Sequence, residues 1–231
     1  HWTVPSAFYA TGKIVDHLNR KYDANLDPDG FYRDLNNYTI ETYGNIYMGS
    51  QGRDAGQLYS GELDDYSFIF PKFDTQYRYS CRYRGGREGS AEGDMEQALI
   101  SRKYLNKKDL YDREMNNGYI QGVVRFDQID NKLNPDGPSA LFIRDSYSSP
   151  VATFLSPMFS RIELLWSLHY NPSGKGSIPE MLESKHFDYV FVALALDNFT
   201  NEGTPFYTDD PKAAENGDAD VAAQGQDPAA H

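Results

Sequence analysis

The sequence predicts an α/β domain built on a doubly wound, mostly parallel sheet, and three observations carry that prediction. From Ser139 onward, strand-length apolar runs alternate with short helical segments, the order that lays parallel strands side by side. Phe187 to Leu196 is almost continuously apolar, as a central parallel strand covered on both faces would be. Between these, Ala140-Leu141-Phe142-Ile143-Arg144-Asp145-Ser146-Tyr147-Ser148-Ser149-Pro150 is an apolar strand that ends at Asp145-Ser146. It runs into small residues, with a proline placed to open a helix. A serine in that turn stands at the carboxyl edge of a parallel strand, where open α/β sheets carry reactive groups. Asp145-Ser146 reads equally as an ordinary helix cap, since both residue types are preferred there.

The elements follow in order. Pro5 to Tyr22 reads as a helix because Phe8, Ile14, Val15, Leu18 and Tyr22 recur at near-helical spacing, although Gly12 weakens its middle. Asp27-Pro28-Asp29-Gly30 is a turn cluster. Tyr38 to Met48 alternates and is rich in Thr, Tyr and Ile, so it reads as strand. Tyr66 to Phe70 is a short strand stopped by Pro71, and Tyr77 to Tyr83 alternates aromatic with polar residues as a half-buried antiparallel strand does. Gly85 to Asp94 reads as a glycine-rich charged loop; no Gly-Lys-Ser/Thr follows, so it is not a phosphate loop. Asp109 to Asn116 is a short polar helix at most, and Asn134-Pro135-Asp136-Gly137-Pro138 is a strong turn. Leu141 to Ile143 is strand, Pro150 to Met158 helix, Arg161 to Trp166 strand, and Ile178 to Lys185 helix. The organisation expected is one domain over 1–207, with a strand-rich insertion at about 37–130 and an acidic tail over 208–231. That tail is poor in large apolar groups and reads as disordered.

Composition narrows the function classes. The 231 residues carry a formal charge of −12, so nucleic acid is not an expected partner, because phosphate binding needs a basic face. No apolar run approaches the roughly 20 residues that cross a bilayer. Cys81 is the single cysteine, which excludes an internal disulfide, and no Cys/His cluster has metal-ligand spacing. The 18 tyrosines and 13 phenylalanines suit core and sheet faces, and equally a cleft in which flat rings stack on sugars.

Five short motifs occur in a fixed order: His1-Trp2-Thr3, Gly49-Ser50-Gln51-Gly52-Arg53, Asp64-Asp65-Tyr66-Ser67, Pro71-Lys72-Phe73-Asp74-Thr75 and Arg144-Asp145-Ser146-Tyr147. From roughly His1 to Asn201 the chain resembles the DHHW family, extracytoplasmic bacterial proteins related to the alginate acetylation proteins and to SGNH-type esterases. The resemblance implies an SGNH-like fold in permuted order, with histidine before serine. It implies O-acetyl transfer to a cell-surface or extracellular polysaccharide through an acyl-enzyme. Ser146 is the implied nucleophile and His1 the implied base. In the family motif, Asp-His-His-Trp-Thr, the orienting aspartate would lie two residues before His1, so the chain is expected to be truncated inside that motif. Without that acid the imidazole takes the wrong tautomer, and the polypeptide is expected to be a weak catalyst.

The remaining site residues have two readings each. Asn198, after the apolar run, is an oxyanion donor by resemblance, or a turn cap. The backbone N–H of Ser146 or Tyr147 opens a helix, where the dipole favours negative charge. Arg53 offers charge to a substrate, or a surface ion pair. His169, in Ser167-Leu168-His169-Tyr170, departs from the family's Asp-Leu-Arg-Tyr pattern and either binds substrate or sits near the rim, and Trp2, within its motif, is read as substrate-binding by resemblance. No metal or organic cofactor is implied. The implied partners are a polysaccharide acceptor, an acetyl donor and a membrane-bound O-acyltransferase. A carbohydrate esterase using the same residues, and a non-catalytic polysaccharide-binding or assembly protein, are the alternatives. Deletion of 208–231 is expected to move the melting temperature by no more than a degree or two, as for a surface change under about 0.5 kcal/mol; differential scanning calorimetry of both chains checks this.

Overall fold

The computed structural model of the chain describes residues 2–83, 86–120, 126–166 and 178–199. His1, His169 and the predicted tail lie outside the described residues. The first helix, α1 (Val4–Tyr22), opens on Thr3, whose hydroxyl accepts the Ser6 N–H at 3.3 Å, and carries Arg20 and Lys21 in its last turn, where they face the negative end of the dipole. Val4, Ala7, Phe8, Thr11, Val15 and Leu18 form its buried stripe. Phe8 meets Phe154 edge-on at 5.1 Å and Tyr38 at 4.9 Å, which seats α1 on the rest of the core.

Two strands then form a small antiparallel sheet of their own, β1 (Tyr38–Tyr47) and β2 (Asp64–Pro71), with the helices α2 (Gly49–Ala55) and α3 (Gln57–Ser60) between them. Next come β3 (Tyr77–Arg82), β4 (Glu88–Gly93), α4 (Met95–Leu99), β5 (Phe126–Asn131), β6 (Ser139–Arg144), α5 (Ser148–Leu155), β7 (Arg161–Trp166), α6 (Ile178–Ser184), β8 (Tyr189–Ala193) and α7 (Leu196–Phe199). The main sheet has the order β4-β3-β5-β7-β6-β8. Its parallel part is β7-β6-β8, and β5, β3 and β4 extend it as an antiparallel ladder. Of the strand-rich stretch at about 37–130, β1 and β2 therefore stand apart, while β3, β4 and β5 join the main sheet.

Strand β6 lies between two parallel neighbours and is buried along its length from Ala140 to Arg144. Its side chains alternate. Ala140 and Phe142 face the larger core under α1 and α5; Leu141 and Ile143 face a smaller one with Leu165 and Met181 of α6. Helices on both faces are the doubly wound arrangement.

Three local readings are corrected. Glu88–Gly93 is a strand, not loop, paired with β3 from Tyr77↔Gly93 to Arg82↔Glu88. It is an edge strand among the described residues, and an edge takes its ladder bonds from the backbone while tolerating charge and glycine. Asp109 to Asn116 holds only 3-10 turns, at Leu110–Asp112 and Met115–Gly118. Among the described residues, the apolar run after Phe187 forms an edge strand rather than a central one: β8 pairs there with β6 alone, and Val190 and Val192 are 47% and 46% exposed. Alternation is invisible in a run whose inward and outward residues are all apolar.

Gly118 packs tightly against side chains of β2. A Cβ there would lie 2.9 Å from the Tyr66 hydroxyl and 3.1 Å from the Phe68 ring. Gly118→Ala is expected to destabilise the fold by about 1–3 kcal/mol through overpacking, read as a lowered denaturation midpoint at unchanged slope.

Candidate functional site

The Asp145-Ser146-Tyr147 turn leaves the carboxyl end of β6, and Pro150 falls in the first turn of α5, where a missing N–H costs no helical bond. Asp145 caps this turn. Asp145 is 1% exposed, and its Oδ1 accepts the Tyr147 N–H at 2.9 Å. Its Oδ2 accepts the Ala195 N–H at 2.5 Å and Asn198 Nδ2 at 2.6 Å. Ser148 adds a bond from its hydroxyl to the Ala193 carbonyl at 2.8 Å. The segment after β8 is thus tied to the serine turn from two directions. Asn198 is brought to the turn with one N–H on Asp145, which leaves its second for another acceptor. The Tyr147 N–H, one of the two backbone oxyanion donors read from sequence, is taken by Asp145.

Under the turn lies a buried ion pair. Arg144 is fully buried and donates through Nη2 to Asp127 of β5, which also accepts the Tyr79 hydroxyl. Nη1 of Arg144 reaches the Ser149 hydroxyl at 3.2 Å, and the guanidinium stands 5.0 Å over the Trp166 ring. Burial pushes the Asp127 carboxyl up to about 6, against the pull of Arg144 and Tyr79, which favour the ionised form.

The Ser146 side of the turn opens into a small cleft of ≈ 270 Å³ counting its mouth. Trp2, Val4, Tyr66, Asn116, Tyr119, Tyr147 and Pro150 line it with Ser146. The Trp2 and Tyr147 rings meet edge-on at 6.3 Å. The start of the chain is therefore held beside Ser146 by the packing of α1 on α5, and His1 itself lies outside the described residues. Arg53 donates to the Tyr111 carbonyl and to Glu114 Oε1, each at 3.1 Å, so it forms the ion pair of its second reading. Burial raises the Tyr47 hydroxyl above the ordinary tyrosine range, while Arg53 lowers it and Tyr147 adds to the rise. Tyr66, Asn116 and Tyr119 went unread as cleft residues. Tyr66 stands inside one of the ordered motifs, which was a usable signal; Asn116 and Tyr119 carry none. Among the described residues no cluster of three His, Cys, Asp or Glu side chains is placed to hold a metal.

Three solved structures share this fold. PatB1 of Bacillus cereus with a sulfonyl adduct superposes at a TM-score of 0.66 and 15% identity, over 90% of this chain and 62% of that one. A second PatB1 structure gives 0.61 at 14%, over 88% and 62%. A DHHW family protein from Eubacterium siraeum gives 0.58 at 13%, over 88% and 60%. The chain spans about three fifths of the length of each of these structures. No protein-family model and no curated protein matches the sequence. At such identities the likeness shows the fold, and the α/β class expected from the sequence is the one found.

The Arg144 cluster generates a prediction. Asp127→Asn replaces the titrating carboxyl with a neutral amide of the same shape and removes this group's pH dependence. The pH dependence has a definite sign. The folded carboxyl holds a proton up to about pH 6, the unfolded one only to its ordinary value near 4, so this group's contribution to stability falls as the pH rises through that window. Denaturant titrations of parent and variant at pH 4, 5, 6 and 7 should show the parent's stability falling relative to the variant's from pH 4 to 6 and level above.

Proposed function

We propose that this chain is a serine-dependent O-acetyltransferase acting on a cell-surface or extracellular polysaccharide outside the cytoplasm. The observation that carries the reading is the place of Ser146: just past the carboxyl end of a parallel strand, inside an aromatic cleft, in a turn whose capping is done by Asp145. Acetyl transfer itself is supported by the motif resemblance to the DHHW family and by the fold shared with a DHHW family protein.

In this mechanism the Ser146 oxygen attacks the carbonyl carbon of an acetyl donor while His1 accepts its proton. The proton passes to the leaving group as the carbon–oxygen bond to the donor breaks, leaving an acetyl-serine. A sugar hydroxyl then attacks that ester, gives its proton to His1, and departs as the acetylated sugar. Ser146 recovers the proton. The resemblance places the orienting aspartate two residues before His1. The second N–H of Asn198 is the side-chain candidate for the oxyanion, and an aromatic cleft suits a sugar ring. A membrane-bound O-acyltransferase would present the acetyl group. No helix among the described residues is long and apolar enough to cross a membrane.

Ser146→Ala removes only a hydroxyl at the edge of a strand, so the melting temperature is expected to stay within a degree or two while acetyl transfer to an oligosaccharide falls by at least about a thousandfold. Mass spectrometry of the oligosaccharide reads transfer, and release of acetate reads hydrolysis. Acetate release without acetylated sugar would make the protein an esterase. Equal activity of variant and parent would end the serine mechanism, and no turnover by either would leave a binding protein.

A further inference from the structure

We infer that the open face of β4, β3 and β5 is a binding site for an acidic oligosaccharide, separate from the Ser146 cleft, with Arg78 as the residue that takes a sugar carboxylate. A cavity of ≈ 500 Å³ lies there, within the roughly 300–1,000 Å³ of sites that hold a small molecule. Its floor follows from strand register. Helix α6 covers the parallel part of this face, where Met181 packs on Leu141, Ile143 and Leu165. The sheet continues past that cover into three antiparallel strands, and alternate residues of each line the cavity: Arg78, Ser80 and Arg82 of β3, Ser90 of β4, Phe126 and Gln128 of β5. Ser80 stands directly across from Ser90 on one side and from Gln128 on the other, with Arg78 and Arg82 two residues away along the strand in either direction. A row of hydroxyl and amide groups flanked by two guanidiniums suits a ligand that is rich in hydroxyls and negatively charged.

The charges favour that ligand. The chain carries −12 overall, yet among the described residues the charged lining of the cavity is Arg78, Arg82 and Glu88, two positive against one negative. Arg82 and Glu88 pair at 3.3 Å with both side chains mostly exposed, and an exposed pair costs little to open. Arg78 forms no ion pair among the described residues. Glu92 and Asp130 stand across from it in the ladder, but Asp130 is held by Arg161 at 2.8 Å and by the Gln128 amide at 2.9 Å. A planar guanidinium with unspent donors matches a carboxylate in two-point geometry. Phe126 adds a flat ring at the end of the cavity nearer Ser146: it pairs with Leu165, which pairs with Ile143, one residue short of the end of β6. Three strand steps separate β3 from β6, about 14 Å, so a polymer seated on β3 reaches round that sheet edge toward Ser146. The inference takes the polysaccharide of the proposed function as its ligand, and binding is read without turnover, so either reading can fail alone.

Isothermal titration calorimetry with hexagalacturonate on the full chain tests this, with maltohexaose as the uncharged sugar and hexaglutamate as the charged peptide. Hexagalacturonate is expected to bind the parent more tightly than either, with an affinity that falls as salt rises. Arg78→Ala should weaken it at least about tenfold, through loss of one charge-assisted contact to a carboxylate. Arg78→Lys, which keeps the charge but not the fork, should recover only part of that loss. Ser90→Trp, on the exposed edge strand, should weaken it by filling the floor. Ser146→Ala should bind as the parent does. No binding by the folded parent, binding unmoved in both Arg78→Ala and Ser90→Trp, or binding lost in Ser146→Ala instead, overturns the site. Equal affinity for maltohexaose or for hexaglutamate overturns the acidic sugar as its ligand. Arg78-dependent binding by a parent that transfers no acetyl group removes the proposed activity and leaves the site standing.

Discussion

The carboxylate of Asp145 accepts three N–H groups from two stretches of chain that lie some fifty residues apart in sequence: Tyr147 in its own turn, and Ala195 and Asn198 beyond β8. It does so almost wholly removed from water. A buried carboxylate is tolerable only when donors surround it, and here they come from the segments that form one end of the parallel sheet. The turn that presents Ser146, the start of α5 and the approach of Asn198 are thereby coupled. Were Asp145 an apolar residue, those three amides would need other acceptors, and nothing would require Asn198 to stand at the turn.

Beneath it, Arg144 raises a related question in the opposite sign. A guanidinium buried between sheet and helix is costly to desolvate, and replacing the whole ion pair with well-packed apolar residues is often as stable. What the pair supplies is direction. Arg144 comes from β6, Asp127 and Tyr79 from β5 and β3, Ser149 from α5, so one set of charge-assisted bonds fixes how the helix sits across the strands that carry the turn. The Trp166 face closes the set on β7. The cleft above is shaped from another quarter: α1 delivers Trp2 and Val4, and the separate β1–β2 sheet delivers Tyr66.

How much of this was legible follows from how local each signal is. Arg161–Trp166 was read at its observed ends, and α1, β1 and β3 within a residue, because apolar periodicity and the residues that interrupt it are written in consecutive positions. The Ser146 turn was legible for the same reason. β4 was not, since a strand of glycine, serine and glutamate declares itself only by its partner's backbone. The edge position of β8 was not, since an unbroken apolar run says nothing about which face is covered. At the site, Ser146, Trp2 and Asn198 stood out by motif, and the structure brings Trp2 and Asn198 to the same turn. That Asn198 and the Tyr147 N–H are both engaged by Asp145 was beyond the sequence, as were the cleft walls from Tyr66, Asn116 and Tyr119.

By itself the sequence determined the class of the fold, the run of helices and strands from Ser139 to Trp166, and the turn that offers a serine at a parallel strand's end. These depend on chemistry within one or two turns of chain. Only the tertiary structure decided the strand order, the division into a main sheet and a separate pair, and the meeting of residues 2, 66, 116 and 146 in one cleft. Those depend on which buried faces find one another in space. Side-chain shape and the need to satisfy buried charges such as Asp145 and Arg144 select that arrangement, and neither leaves a mark in the spacing of residues along the chain.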